Sequence, residues 1–175
     1  PAYGGRLFRL GQHLERLARS LGDLRLNNPL SSENWRQCLQ ELVVRNGGGD
    51  QSVYVQITRG AAPRDHAFPK DVQPTVYAAS SPLKPLPPDL AENGVAAVTL
   101  QDIRWQRCDI KAITLLANIL LRQQAIDQGA VEAILVRDGK VSEGAASNLF
   151  IVKDCVMVTP RKAPYLLPGI TRDLI

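Results

Sequence analysis

Six lysines occur in the chain, and five stand in turn or loop contexts: Lys70 after Pro69, Lys84 before Pro85, Lys140 after Asp138-Gly139, Lys153 before Asp154, and Lys162 near Pro164. Lys111 is set apart. It lies in CDIKAITLL, flanked by apolar residues at the entrance to an expected helix, where burial would favour the neutral amine and lower its pKa. An amine of that kind is a candidate Schiff-base nucleophile. The alternative is a lysine that snorkels from a helix end to solvent. A second candidate is Glu143 in VSEGAASNLF, after the turn signal Asp138-Gly139 and before a run of small residues that leaves room for a ligand against the backbone. A carboxylate there could pair with a protonated ring nitrogen, or it could be an exposed turn glutamate.

Leu10, Leu14, Leu17, Leu21 and Leu24 recur at three and four residues, so the spacing predicts an amphipathic helix from Gly11 to Leu21. Ser31 and Ser32 offer N-caps for a second helix through Trp35, Leu39, Leu42 and Val43, which Asn46 and the Gly47 to Gly49 run should end. Ser52 to Thr58 alternates with period two and reads as a strand, followed by a second strand at Thr75 to Ala79. Ser80 to Gly94 carries four of the 12 prolines and reads as a linker. Beyond it the pattern predicts a strand at Val95 to Leu100, a helix at Ala112 to Gln128 and a strand at Val131 to Val136. A hairpin turn at Asp138-Gly139, short strands at Leu149 to Val152 and Val156 to Val158, and the first turn of a helix at PGITRDLI complete the series.

Three separated segments in order, RCDIKAITLLANILLRQQA, EAILVRDGKVSEGAASNLFIV and LLPGITRDLI, resemble the pyridoxal-phosphate aminotransferases of fold type IV. That group holds branched-chain and D-amino acid aminotransferases and aminodeoxychorismate lyase. RLFRLGQHLERL fits the same group, and YVQITRGAAPRDHAFP is most similar to its D-amino acid branch. The resemblance implies pyridoxal 5'-phosphate as cofactor, Lys111 as the Schiff-base lysine and Glu143 as the carboxylate at the pyridine nitrogen. It further implies Arg16, Ile170 and Thr171 as a phosphate cup, with Asn148 beside the cofactor and Arg64 and His66 taking the substrate carboxylate. Ser147 lies in the same loop, where Ala145 and Ala146 replace hydroxyl residues of the family pattern. A D-amino acid of the D-alanine type and a 2-oxo acid such as 2-oxoglutarate are the implied substrates, and a homodimer the implied assembly.

The expected architecture is α/β in two lobes, residues 1-86 as an α+β lobe and residues 87-175 as a cofactor-binding lobe. Measured against the family, both ends look truncated. That predicts an unpaired Ser52 to Thr58 strand and a poor or inactive enzyme when the chain stands alone. Branched-chain transamination, the lyase chemistry, or a fragment that does not hold the cofactor are the alternatives. With 21 Lys plus Arg against 17 Asp plus Glu, spread along the chain, and few aromatics, a nucleic-acid partner is not expected. No run reaches the roughly 20 apolar residues of a membrane span, and the opening Pro1-Ala2 with Arg6 and Arg9 is not a secretory leader. A cytoplasmic setting follows as the expectation. Cys38, Cys108 and Cys155 are odd in number and far apart, so no metal site is drawn from them and free buried thiols are expected.

Overall fold

The computed structural model describes all 175 residues, which divide into two compact units, Pro1–Pro85 and Leu86–Ile175. Both mix helix and strand. The first contains β1 (Ala2–Tyr3), β2 (Arg6–Leu7), α1 (Leu10–Asp23), α2 (Ser32–Arg45), β3 (Gln51–Thr58) and β4 (Thr75–Pro82). The leucine spacing does form α1, and Leu10 and Leu14 meet Trp35 and Leu39 of α2 in a core that Val53, Val55 and Ile57 of β3 floor. α2 begins where the serines indicated: the Ser31 hydroxyl accepts the N–H of Asn34 at 3.1 Å, which satisfies one of the orphan donors of a helix start. At its other end the buried Gln51 side chain donates to the carbonyls of Val43, Asn46 and Gly48 at 2.8 to 3.1 Å.

The sheet order in this unit is β2-β1-β3-β4, all antiparallel. β4 pairs with β3 over Gln51 to Thr58, so the strand expected to lack a partner has one. On its other side β1 reaches it only at Gln51, opposite Ala2, and Ser52 to Thr58 keep an open edge there. β4 also runs on to Pro82, three residues beyond the expected end. It is the edge strand, where a proline's missing N–H breaks no ladder bond.

The second unit holds α3 (Pro88–Asn93), β5 (Ala97–Gln101), α4 (Leu116–Asp127), β6 (Glu132–Arg137), β7 (Lys140–Gly144), β8 (Ile151–Lys153) and β9 (Val156–Val158). The expected linker is thus partly ordered: β4 takes its first residues, and α3 forms with Pro88 at its start, a position that needs no N–H. β5 and β6 are parallel, joined by α4 as the crossover, and β7 returns antiparallel to β6. Leu121 and Ala125 of α4 pack on Ala130, Ala133, Leu135 and Ala145. The small alanines let the helix approach the sheet closely. Asp138 and Gly139 both take positive φ, 50° and 71°, the geometry of a tight two-residue hairpin turn.

α4 starts four residues later than the apolar run suggested. Ile110 to Leu115 form a loop instead, because Asp109 donates its N–H to Pro164 and Ile110 closes a turn onto Arg107. Gly169 to Ile175 is a single turn, with Asp173 N–H donating to Gly169 and Ile175 N–H to Thr171. The thiols are free, as read, but Cys38 and Cys155 are exposed rather than buried. No helix is long and apolar enough to cross a membrane.

Candidate active site

The central residues lie at one end of the β5-β6-β7 sheet, where β7 delivers Glu143 and the loop ahead of α4 delivers Lys111. Together they line a cavity of about 310 Å³ with Arg104, Cys108, Asn118, Ala145 and Asn148. That volume lies at the lower end of the range for small-molecule sites. Lys111 is exposed, so the buried setting expected for it is not found within its own unit. The reason is the loop: without a helical turn around it, the apolar neighbours Ile113 and Leu115 also face outward.

Glu143 is 4% exposed, so the exposed-turn alternative is excluded. Its carboxylate accepts from Arg104 Nη1 at 2.7 Å, from Asn148 Nδ2 at 2.9 Å, and from the Leu167 N–H, shared between both oxygens at 3.0 and 3.1 Å. Each oxygen therefore accepts two contacts, Oε1 from Arg104 and Leu167 and Oε2 from Asn148 and Leu167. Burial pushes the Glu143 carboxyl above its ordinary value, while Arg104 and the Leu167 N–H act in the opposite direction.

The Asn148 amide is engaged twice, since Nδ2 also donates to the Leu167 carbonyl at 3.0 Å. Beyond Leu167 the chain turns through Ile170, which is buried, and Thr171, which is exposed. These two stand on that turn, not on the cavity wall. Ser147 does reach the wall, but its hydroxyl is engaged by Glu132 Oε2 at 2.9 Å.

The remaining candidates belong to the first unit. Arg16 is buried on α1, on the side that also buries Ser20, so it is not the solvated helix residue that its composition allowed. Arg64 and His66 are exposed on the loop between β3 and β4. The neck of that loop is fixed by Arg59, which donates to the Leu24 and Arg25 carbonyls and stacks 3.8 Å from the Phe68 ring centroid.

Sequence reasoning missed Arg104 and Asp102. Arg104 makes paired bonds to Asp102, Nε to Oδ1 and Nη2 to Oδ2, both at 3.0 Å, besides its bond to Glu143. Arg137 meets the same aspartate at 3.1 Å, and the Ser142 hydroxyl reaches it at 3.3 Å. The available signal was an acidic and a basic residue two apart in QDIRW, just where an apolar strand ends.

The class IV amino-transferase family model matches residues 1–175. The D-alanine aminotransferase of Bacillus licheniformis is 41% identical over 170 residues, covering 97% of this chain and 60% of that protein. The D-alanine aminotransferase of Staphylococcus aureus (strain N315) is 41% identical over 174 residues, 99% of this chain and 61% of that protein. The chain thus spans about three-fifths of the length of the curated relatives it matches. Among solved structures, the branched-chain aminotransferase of the archaeon Thermoproteus uzoniensis, with norvaline, superposes with a TM-score of 0.83 at 30% identity, over 99% of this chain and 61% of that one. The Escherichia coli branched-chain amino acid aminotransferase gives 0.83 at 28% identity, over 95% and 57%.

Proposed function

The chain belongs to the class IV aminotransferases, and from that membership we propose that it serves the transfer of an amino group from a D-amino acid, D-alanine being the type, to a 2-oxo acid such as 2-oxoglutarate. The observation that carries this reading is the meeting of an amine, Lys111, and a buried carboxylate, Glu143, on the wall of one cavity. Pyridoxal phosphate, which the family implies, fits that pair of groups: an aldehyde suits the amine and a protonated ring nitrogen suits the buried carboxylate.

Bound there, the cofactor supplies an electron-accepting ring that weakens the α C–H bond of the amino acid. Glu143 would hold the proton of the ring nitrogen, with Asn148 and Arg104 orienting its carboxylate. The Lys111 amine takes the α proton and returns it, acting as general base and then general acid. The family resemblance assigns the cofactor's phosphate to Arg16 and to the N–H groups of Ile170 and Thr171, which would hold it there. Arg64, through two parallel bonds, and His66 take the substrate carboxylate and decide which hand is accepted. The same proposal includes a homodimer in the cytoplasm. Exposed Leu116, Ile119 and Leu120 on α4 offer apolar surface for a second copy to cover.

The test is a visible absorption titration of the chain with pyridoxal phosphate, followed by addition of D-alanine or L-leucine. Saturable binding and a spectral change driven by D-alanine support the proposal. A faster response to L-leucine overturns the D-specific reading in favour of branched-chain chemistry, and absence of saturable binding overturns the cofactor reading.

A further inference from the structure

Behind Glu143 stands a buried chain of charge that the transamination reading does not require. Asp102, Arg104 and Glu143 have side chains 0%, 4% and 5% exposed, and Arg137, the second arginine on Asp102, is 11% exposed. Two carboxylates are thus matched to two guanidiniums, and the cluster is neutral only when Glu143 is ionised. Protonating Glu143 would strand one net positive charge out of water, which is costly where no further anion can approach.

Arg104 is also fixed in direction. Its guanidinium is clamped to Asp102 by two bonds, and Nη2 also donates to the Tyr165 carbonyl at 3.2 Å, so Nη1 alone is left to face Glu143. Planarity converts that clamp into an orientation for the carboxylate. The Leu167 N–H and Asn148 complete the frame, Leu167 through both oxygens and Asn148 through Oε2. The other ionisable groups on this cavity are Cys108 and Lys111 from the loop ahead of α4 and Arg122 from α4.

We propose that Arg104, itself held by Asp102, is the positioning residue that keeps Glu143 ionised and aimed into the cavity. Its consequence for a bound cofactor rests on the reading of Glu143 as the partner of the ring nitrogen. The charge relation between Arg104 and Glu143 does not.

The test follows the carboxyl carbon of Glu143 by NMR against pH in the cofactor-free chain with labelled glutamate; there are six glutamates, and the signal lost in Glu143→Gln identifies the one of interest. Arg104→Gln should raise its titration midpoint by about one pH unit or more, a tenfold shift in the protonation equilibrium. Asp102→Asn should lower it, because two arginines then face Glu143 with one carboxylate fewer. Arg104→Lys, which keeps the charge but loses the planar clamp, should raise it by less than Arg104→Gln does. Loss of packing alone would move both variants the same way or neither, and either result overturns the proposal. If Arg104→Gln does not fold, Asp102→Asn carries the test, and a midpoint that rises or stays put overturns it. In the cofactor-loaded chain, the pH dependence of visible absorbance should shift with the same signs. A loaded Glu143→Gln spectrum identical to the parent overturns the ring-nitrogen reading while leaving the Arg104 result to stand.

Discussion

Asn148 occupies the space in which a side chain on residue 169 would begin: its Oδ1 lies 2.0 Å from where a Cβ on Gly169 would stand. The glycine is what allows the Asn148 amide to reach both Glu143 and the Leu167 carbonyl. Gly169→Ala should therefore act through Asn148. We expect about tenfold weaker binding of pyridoxal phosphate, corresponding to one lost hydrogen bond near a charge. In an Asn148→Ala background the same substitution should be close to neutral, since contacting residues do not add. Equilibrium titration of the four proteins of that cycle checks it.

Lys111 should be the residue that becomes covalently attached to pyridoxal phosphate. Borohydride reduction and peptide mapping should find the label there, and Lys111→Arg should abolish it. Label on Lys153 or Lys162 in its place would remove Lys111 from the site.

Arg64→Ala should lower kcat/KM for D-alanine by about tenfold or more, from loss of a charge-assisted contact, with little change in cofactor affinity. Kinetics with D- and L-amino acids compared side by side decide whether the loss is specific to one hand.

Acid should unfold the second unit partly through Asp102. Burial opposes its charge, but the bonds from Arg104 and Arg137 outweigh that and hold its carboxyl below the ordinary value. A carboxyl depressed on folding contributes stability that is present above its unfolded pKa, about 3.9, and is lost as pH falls through the folded value. Glu143 is raised, so its contribution has the opposite sign and fades as pH rises past the ordinary glutamate value. Asp102→Asn should give a less stable chain at neutral pH with a flatter decline below about pH 4, read from urea midpoints across pH.

The β8–β9 hairpin turns through Asp154 and Cys155, at φ of 50° and 61°. A cysteine in that left-handed region costs roughly 1–2 kcal/mol relative to a residue without a Cβ. Cys155→Gly should recover on the order of 1 kcal/mol, measured by chemical denaturation, and it also removes an exposed thiol.

Elements that carry their own periodicity are legible in the sequence: the leucine stripe of α1, the capped α2, the alternation of β3 and the Asp-Gly turn. What escaped is long-range. β1 and β2 are two residues each and exist only because β3 and each other's backbone pair with them. The early start expected for α4 was overruled by a turn that Pro164, far along the chain, helps to close. Of the site, Lys111 and Glu143 stood out by local context. Arg104 did not, because its bond to Glu143 spans 39 residues and nothing within QDIRW announces the partner. The apolar flanks of Lys111 misled in one respect: sequence neighbours give composition, whereas burial depends on which way a loop faces.

Gln51 gathers three backbone carbonyls from α2 and the turn after it, and that turn contains three successive glycines, all at positive φ. Such a segment has little conformational preference of its own. A single amide therefore sets where the helix stops and where the strand begins, and with it which residues of β3 face inward. Should that amide let go, the last turn of α2 and the register of β3 would loosen together, making this corner one cooperative opening unit in amide exchange rather than a helix end and a loop that fray independently.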